Sequence, residues 1–213
     1  MEIEMKLAIP DSETADRIAE SSFLRAYEKE ACREAVRMDA VYYDTEDGVL
    51  AQNHVTFRVR QEGSCTVSTV KWGGQVEEGL FSHQECNVPA APEDGKLVPR
   101  PELFRETDAG PVLERVLAGK PLCSQLGMHF LRRRTQVVYR GSELEVSVDT
   151  GEIVAGGKTE PICEVEVELF AGPEDRVREF AQQLADEYRL VPENRSKYAR
   201  GLALMEHHRR KES

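Results

Sequence analysis

The chain has 213 residues, enough for one large domain, and carries 28 basic against 39 acidic residues, a formal charge of −11. That acidity excludes a general nucleic-acid binder, whose phosphate contacts need a basic face. A 40% hydrophobic content excludes a largely disordered chain, and no apolar run approaches the roughly 20 residues of a membrane-spanning helix.

Five scattered cysteines (Cys32, Cys65, Cys86, Cys123, Cys163) form neither a C-x-x-C pair nor zinc spacing with the histidines, and read as reduced thiols. The first residues lack the basic and apolar segments of a secretory leader, so the expected location is cytoplasmic.

In chain order, Met1 to Ile9 alternates apolar with charged residues and predicts a strand ending at Pro10. Asp11 or Ser12 caps a helix expected to reach about Lys29. Strands follow at Ala35 to Thr45, Val55 to Gln61, Val67 to Trp72 and Leu80 to Val88, with Asp47-Gly48 and Gly73-Gly74 beginning turns. Pro89 to Pro101 reads as a connection and Pro111 to Leu117 as a short helix. Three more strands are predicted at Met128 to Tyr139, Glu143 to Asp149 and Ile162 to Phe170, the first two joined at Gly141-Ser142. Helices over Pro173 to Tyr188 and Ser196 to Glu206 close a single domain of residues 1–206, and 207–213 form a basic tail.

Antiparallel strands with short turns and terminal helices make an α+β fold, and a closed barrel removes the edges. Because residues i and i+2 share one face of a strand, the alternation puts formal charge on a whole face of several strands. Glu2, Glu4 and Lys6 share such a face, as do Glu164, Glu166 and Glu168, and Glu143, Glu145, Ser147 and Asp149. Like charges lined up on one strand repel unless cations intervene, so these faces suggest a metal site with oxygen ligands. Basic faces oppose them: Arg58 with Arg60, Lys71, and Arg132 with Arg134, joined by Lys197 at the start of the last helix behind its candidate N-cap Ser196. Arginine forks mixed with lysine point charges suit a polyphosphate. A solvated face is the bland alternative for any one strand, and a polar ligand-holding lumen is favoured for the set. Histidines at 54, 83 and 129 read as isolated, and Trp72 and the tyrosines as core or barrel residues.

Taken together these motifs resemble the CYTH domain, or triphosphate tunnel metalloenzyme, family over nearly the whole chain. The resemblance rests on Glu2-Ile3-Glu4-Met5-Lys6, Tyr42-Tyr43-Asp44-Thr45, Arg58-Val59-Arg60, Thr69-Val70-Lys71, Asp149-x-Gly151, Glu164-Val165-Glu166-Val167-Glu168 and Ser196-Lys197, in that order. Gly79-Leu80, Glu85-x-Asn87-Val88 and Pro161-Ile162-Cys163-Glu164 are similar to the bacterial inorganic triphosphatase branch.

The resemblance implies an eight-stranded antiparallel barrel forming a tunnel flanked by helices. It implies that Lys6, Arg58, Arg60, Lys71, Arg132, Arg134 and Lys197 bind the phosphate chain. Asp149, Glu164 and Glu166 would hold Mg²⁺ or Mn²⁺; Glu2 and Glu4 would hold a second ion and, with Lys6, serve catalysis, supported by Glu85, Glu145 and Glu168. The expected reaction is hydrolysis of inorganic triphosphate to pyrophosphate and phosphate. Alternatives are a nucleoside or thiamine triphosphatase, a class IV adenylyl cyclase, or a non-catalytic polyphosphate- or nucleotide-binding module. The expected partner is a small triphosphate, with no nucleic acid and no membrane; a homodimer is left open.

Overall fold

The structure is a computed structural model that describes residues 1–29 and 32–212. Its eight long strands are β1 (Glu2–Ala8), β2 (Glu34–Asp44), β3 (Thr56–Glu62), β4 (Cys65–Glu77), β5 (Leu80–Ala90), β6 (Cys123–Tyr139), β7 (Ser142–Ala155) and β8 (Lys158–Ala171). They are hydrogen-bonded in the order β5-β4-β3-β2-β6-β7-β8-β1, and β1 pairs back onto β5 with Glu2 opposite His83 and Glu4 opposite Phe81. The sheet is therefore a closed antiparallel barrel with no free edge among these strands. A ninth, two-residue strand, β9 (Val191–Pro192), lies outside it against Leu7 and Ala8.

The barrel is built inside out. On β1, β7 and β8 the apolar members of each alternation, Leu7, Leu144, Val146, Val148, Val165 and Val167, face away from the lumen into a core with Ile18, Leu24, Phe180 and Leu184. Those partners belong to helices α1 (Ser12–Ala19), α2 (Ser22–Tyr27) and, later in the chain, a long amphipathic helix over Asp175–Tyr188. On the opposite wall Phe57, Val59 and Val70 pack with Leu50, Phe104 and Leu113. Full burial of each large side chain stabilises by about 1.5–3 kcal/mol, so these outer layers hold the barrel while its interior stays charged.

The predicted strands are all present, and most are longer than expected. β6 starts at Cys123, β7 runs on to Ala155 and β8 begins at Lys158, forming a hairpin across Gly156-Gly157. The helix expected to reach Lys29 is broken in two, because Ser21 Oγ accepts the Leu24 N–H at 3.1 Å and starts a new helix. A short helix, α3 (Val49–Gln52), was not anticipated; the buried Asp44 carboxylate caps it by accepting from the N–H groups of Leu50 (2.8 Å) and Ala51 (3.0 Å). Next come a 3-10 turn at Pro101–Phe104, α4 (Gly110–Leu117), α5 (Asp175–Tyr188) and α6 (Lys197–Glu212). The backbone of α6 continues past Glu206 through most of the expected tail, where the sequence holds no proline or glycine to stop it; Ser213 lies outside the described residues. No helix among the described residues is long and apolar enough to cross a membrane.

Candidate functional site

Strand register decides which charges meet. Lys6 lies opposite Glu166 and Glu4 opposite Glu168 across β1 and β8; Asp149 lies opposite Glu164 and Ser147 opposite Glu166 across β7 and β8. Arg132 on β6 faces Asp149. On the other wall Lys71 on β4 lies opposite Glu85 on β5 and beside Thr56 on β3. Of these, Glu4, Lys6, Thr56, Lys71, Glu85, Arg132, Glu166 and Glu168 line a cavity of about 320 Å³.

A carboxylate cage adjoins this cavity through Glu166. Oxygens of Asp149, Glu164 and Glu166 lie within 4.8 Å of one another, and the residues are almost fully buried. Three such charges stay together only because cations reach them. The Lys197 ammonium sits 2.7 Å from Asp149, 2.5 Å from Glu164 and 2.9 Å from Glu166. Arg132 grips Asp149 with two parallel bonds, Nε at 2.8 Å and Nη2 at 2.6 Å, and donates to Glu166 at 2.5 Å. Lys6 lies 2.5 Å from Glu166 and 3.0 Å from Glu4.

Burial pushes Glu166 up, but Lys197, Lys6 and Arg132 together hold it well below the usual carboxylate range. For Glu164 burial prevails, aided by Glu166, and its carboxyl is raised. Glu168, set among acids, is pushed up to about 8 by burial and by Glu2, Glu4 and Glu145.

The basic side is short of partners. Arg58 donates to Thr69 Oγ1 at 3.2 Å and lies over the Tyr42 ring; Arg60 pairs with Glu62 at 2.8 Å. Yet Nε of both arginines is buried with no acceptor among the described residues. Burial and the neighbouring Arg58 and Arg132 charges push Arg60 down to about 10, so it remains charged at neutral pH. Arg58 and Arg60 both line the cavity, where guanidinium forks suit an anion.

A second acidic group sits towards β5. Oxygens of Glu2 and Glu85 and a ring nitrogen of His83 lie within 4.8 Å of one another. Lys71 is 2.8 Å from Glu2 and 2.5 Å from Glu85, and His83 Nε2 is 2.5 Å from Glu2. Burial lowers Lys71, but Glu4, Glu2 and Glu85 outweigh it and raise the ammonium above its ordinary value.

The buried cage fits a hard divalent cation, and the second group adds an imidazole nitrogen to two carboxylates. The cage offers three carboxylates and no sulfur, the donor set of Mg²⁺, Mn²⁺ or Ca²⁺. In each group a lysine ammonium occupies the position between the oxygens, a monovalent stand-in for a divalent charge.

Of the residues singled out in the sequence, Glu2, Glu4, Lys6, Arg58, Arg60 and Lys71 line the cavity, as do Glu85, Arg132, Glu166, Glu168 and Lys197. Asp149 and Glu164 do not line it; they stand behind Lys197 and Arg132. Arg134 is not brought to the cavity lining: it pairs with Glu34 and Glu62, at 2.6 and 2.8 Å. Glu145 is buried off the cavity and accepts from Ser147 at 3.2 Å.

His83, read as isolated, stands against Glu2 because barrel closure pairs β1 with β5; its place two residues before Glu85 on one strand was the available signal. Tyr42 and Trp72, read as core or barrel residues, also border the cavity, and His54 joins them. Lumen aromatics hold the cations too: Lys6 lies 5.1 Å from the Phe81 ring centre and Lys197 5.4 Å from that of Phe130.

The chain has known relatives. The chain is 29% identical over 211 residues to the inorganic triphosphatase of Haemophilus influenzae, an alignment covering 95% of this chain and 54% of the relative; the chain thus spans about half the relative's length. Among solved structures it is similar to HpAC1 of Hippeastrum, a candidate adenylyl cyclase with a dominant triphosphatase activity (TM-score 0.72, 19% identity, 96% of this chain and 97% of that one). It is also similar to the PH1819 protein of Pyrococcus horikoshii (TM-score 0.54, 16% identity, 96% and 98%). At these identities the two structures speak for the fold alone. Residues 1–202 match the CYTH domain, and the chain belongs to that family.

Proposed function

We propose that this chain hydrolyses a linear triphosphate, inorganic triphosphate first, to pyrophosphate and phosphate with the help of Mg²⁺ or Mn²⁺. The observation that carries the reading is the mixed lining of one cavity: Arg58 and Arg60, whose Nε donors lack acceptors among the described residues, share it with Glu2, Glu4 and Glu166 of the carboxylate cage. The activity of the Haemophilus relative supports the choice of inorganic triphosphate.

In this reading Arg58, Arg60, Arg132, Lys6, Lys71 and Lys197 bind and orient the phosphate oxygens. Asp149, Glu164 and Glu166 would hold one divalent cation and Glu2 and Glu4 a second, and the ions would supply neutralisation of phosphate charge. Glu4, 3.0 Å from Lys6, orients the attacking water, whose oxygen adds to a terminal phosphorus while the bond to the bridging oxygen breaks and its electron pair leaves with pyrophosphate. The water's proton passes to a lumen carboxylate, and positioning with charge neutralisation does most of the work.

The test is phosphate release from tripolyphosphate, ATP, thiamine triphosphate and pyrophosphate with Mg²⁺, Mn²⁺ or EDTA. Metal-dependent turnover of tripolyphosphate above the others supports the reading; preference for ATP or thiamine triphosphate overturns the substrate and keeps the chemistry. A second reading, a nucleoside triphosphatase, is favoured by one observation: Trp72 and His54 border the cavity as flat rings suited to a base. A Trp72→Ala variant that loses ATP turnover and keeps tripolyphosphate turnover would establish it.

A further inference from the structure

Arg200 lies one turn beyond Lys197 on α6 and is 7% exposed, yet it does not reach the cavity. Its guanidinium is held at three points along β8: Nε donates to Glu160 at 2.7 Å, Nη1 to Glu164 Oε2 at 2.8 Å and Nη2 to the Pro161 carbonyl at 2.5 Å. Glu164 is 1% exposed and divides its oxygens, Oε2 to Arg200 and Oε1 to Lys197. Its remaining neighbours in the cage, Asp149 and Glu166, are both carboxylates.

The two cations on α6 do different work. Lys197 sits at the centre of the cage, where a divalent ion would compete with it. Arg200 touches the cage only at Glu164 Oε2, not at the Oε1 that Lys197 takes, and its other two contacts, Glu160 and the Pro161 carbonyl, lie outside it, so an ion that replaced Lys197 would leave this grip in place. Without it, a buried carboxylate facing two like charges would turn its free oxygen away from them. The helix that carries Arg200 packs closely on β6 and β7 at the next residue: a Cβ on Gly201 would come within 2.6 Å of Leu126 and 3.2 Å of Ile153.

We infer that Arg200 is a positioning residue that fixes Glu164 with Oε1 turned into the cage, so that the site presents three oxygens to a divalent cation. This rests on the reading that the cage of Asp149, Glu164 and Glu166 is a cation site.

The experiment is Mn²⁺ titration of metal-free protein followed by the electron paramagnetic resonance of free Mn²⁺, on the wild type and on Arg200→Lys, Glu160→Gln, Glu164→Gln and Arg200→Lys/Glu164→Gln. Arg200→Lys keeps the charge and loses the fork, and Mn²⁺ affinity is expected to fall about tenfold or more, the size of an outer-shell effect. Glu160→Gln removes one of the three anchors from a partly exposed residue and is expected to shift affinity the same way by a smaller factor. Once Glu164 is Gln, changing Arg200 should cost no further affinity, a coupling that mere destabilisation would not produce.

Unchanged Mn²⁺ affinity in folded Arg200→Lys overturns the inference, as does full additivity in the double variant. Should Arg200→Lys fail to fold, unchanged affinity in Glu160→Gln overturns it instead. A wild type that binds no Mn²⁺ overturns the cage itself, a failure distinct from one in which the wild type binds and the variants match it.

Discussion

Lys6 and Glu166 are register partners on neighbouring strands, and the lysine ammonium sits 2.5 Å from the carboxylate inside the closed barrel. Burial works against the charge on Lys6, but Glu166, Glu4 and Glu164 outweigh it and raise the ammonium well above its ordinary value. Glu166 is held by three cations, Lys6, Arg132 and Lys197, so this part of the network does not depend on any single pair.

That sharing sets the cost of losing Lys6. Breaking an isolated buried ion pair costs about 3–5 kcal/mol. Here Lys197 and Arg132 also hold Glu166, so Lys6→Met should cost only roughly 1–3 kcal/mol while turnover falls about 100-fold or more. Denaturant unfolding beside tripolyphosphate kinetics checks both, and a stability loss without an activity loss would remove Lys6 from the machinery.

Glu4→Gln separates catalysis from binding. The amide keeps the shape of a 4% exposed side chain and loses its charge on the water side. Turnover is expected to fall by about two to three orders of magnitude, with affinity for tripolyphosphate within about tenfold of wild type. Calorimetric binding that persists after turnover is lost supports catalysis, whereas a wild type that binds without turnover marks a binding module.

Glu168 gives a pH signature. In the folded chain its carboxyl is pushed up to about 8, chiefly by burial, while the unfolded chain releases the proton near the ordinary value of about 4.3. Between those values the folded state binds more protons, so this group's contribution to stability falls as pH rises and is lost by about pH 8. Glu168→Gln has no proton to release. Its Tm in EDTA is expected to match wild type near pH 4 and exceed it by roughly 2–6 °C at pH 8.5. A Tm difference that does not change with pH would contradict this.

Gly151 faces the β6 backbone too closely for a side chain. A Cβ there would lie 2.2 Å from the His129 carbonyl oxygen and 2.5 Å from Phe130. Gly151→Ala must part β6 from β7 beside Asp149, at a cost of about 2–4 kcal/mol. Urea unfolding measures it, and a cost below about 0.5 kcal/mol would show that the strands open freely.

Sequence alone determined the alternation. Residues i and i+2 share a strand face whatever the fold, so Glu2, Glu4 and Lys6, or Glu164, Glu166 and Glu168, had to act together, and their apolar neighbours had to be covered on the other side. The eight strands and the acidic and basic faces could be read from that period of two. The alternation could not say how far along the barrel each face stood, and only the tertiary structure decided that. Arg132 and Arg134 are equivalent in pattern, yet register sets Arg132 against Asp149 while Glu34 and Glu62 draw Arg134 aside. Closure of β1 onto β5 brings His83 to Glu2, and the path of α6 sends Lys197 into the cage and Arg200 behind it. Contacts between residues 81 or 160 positions apart depend on strand register and helix docking, which local spacing does not encode.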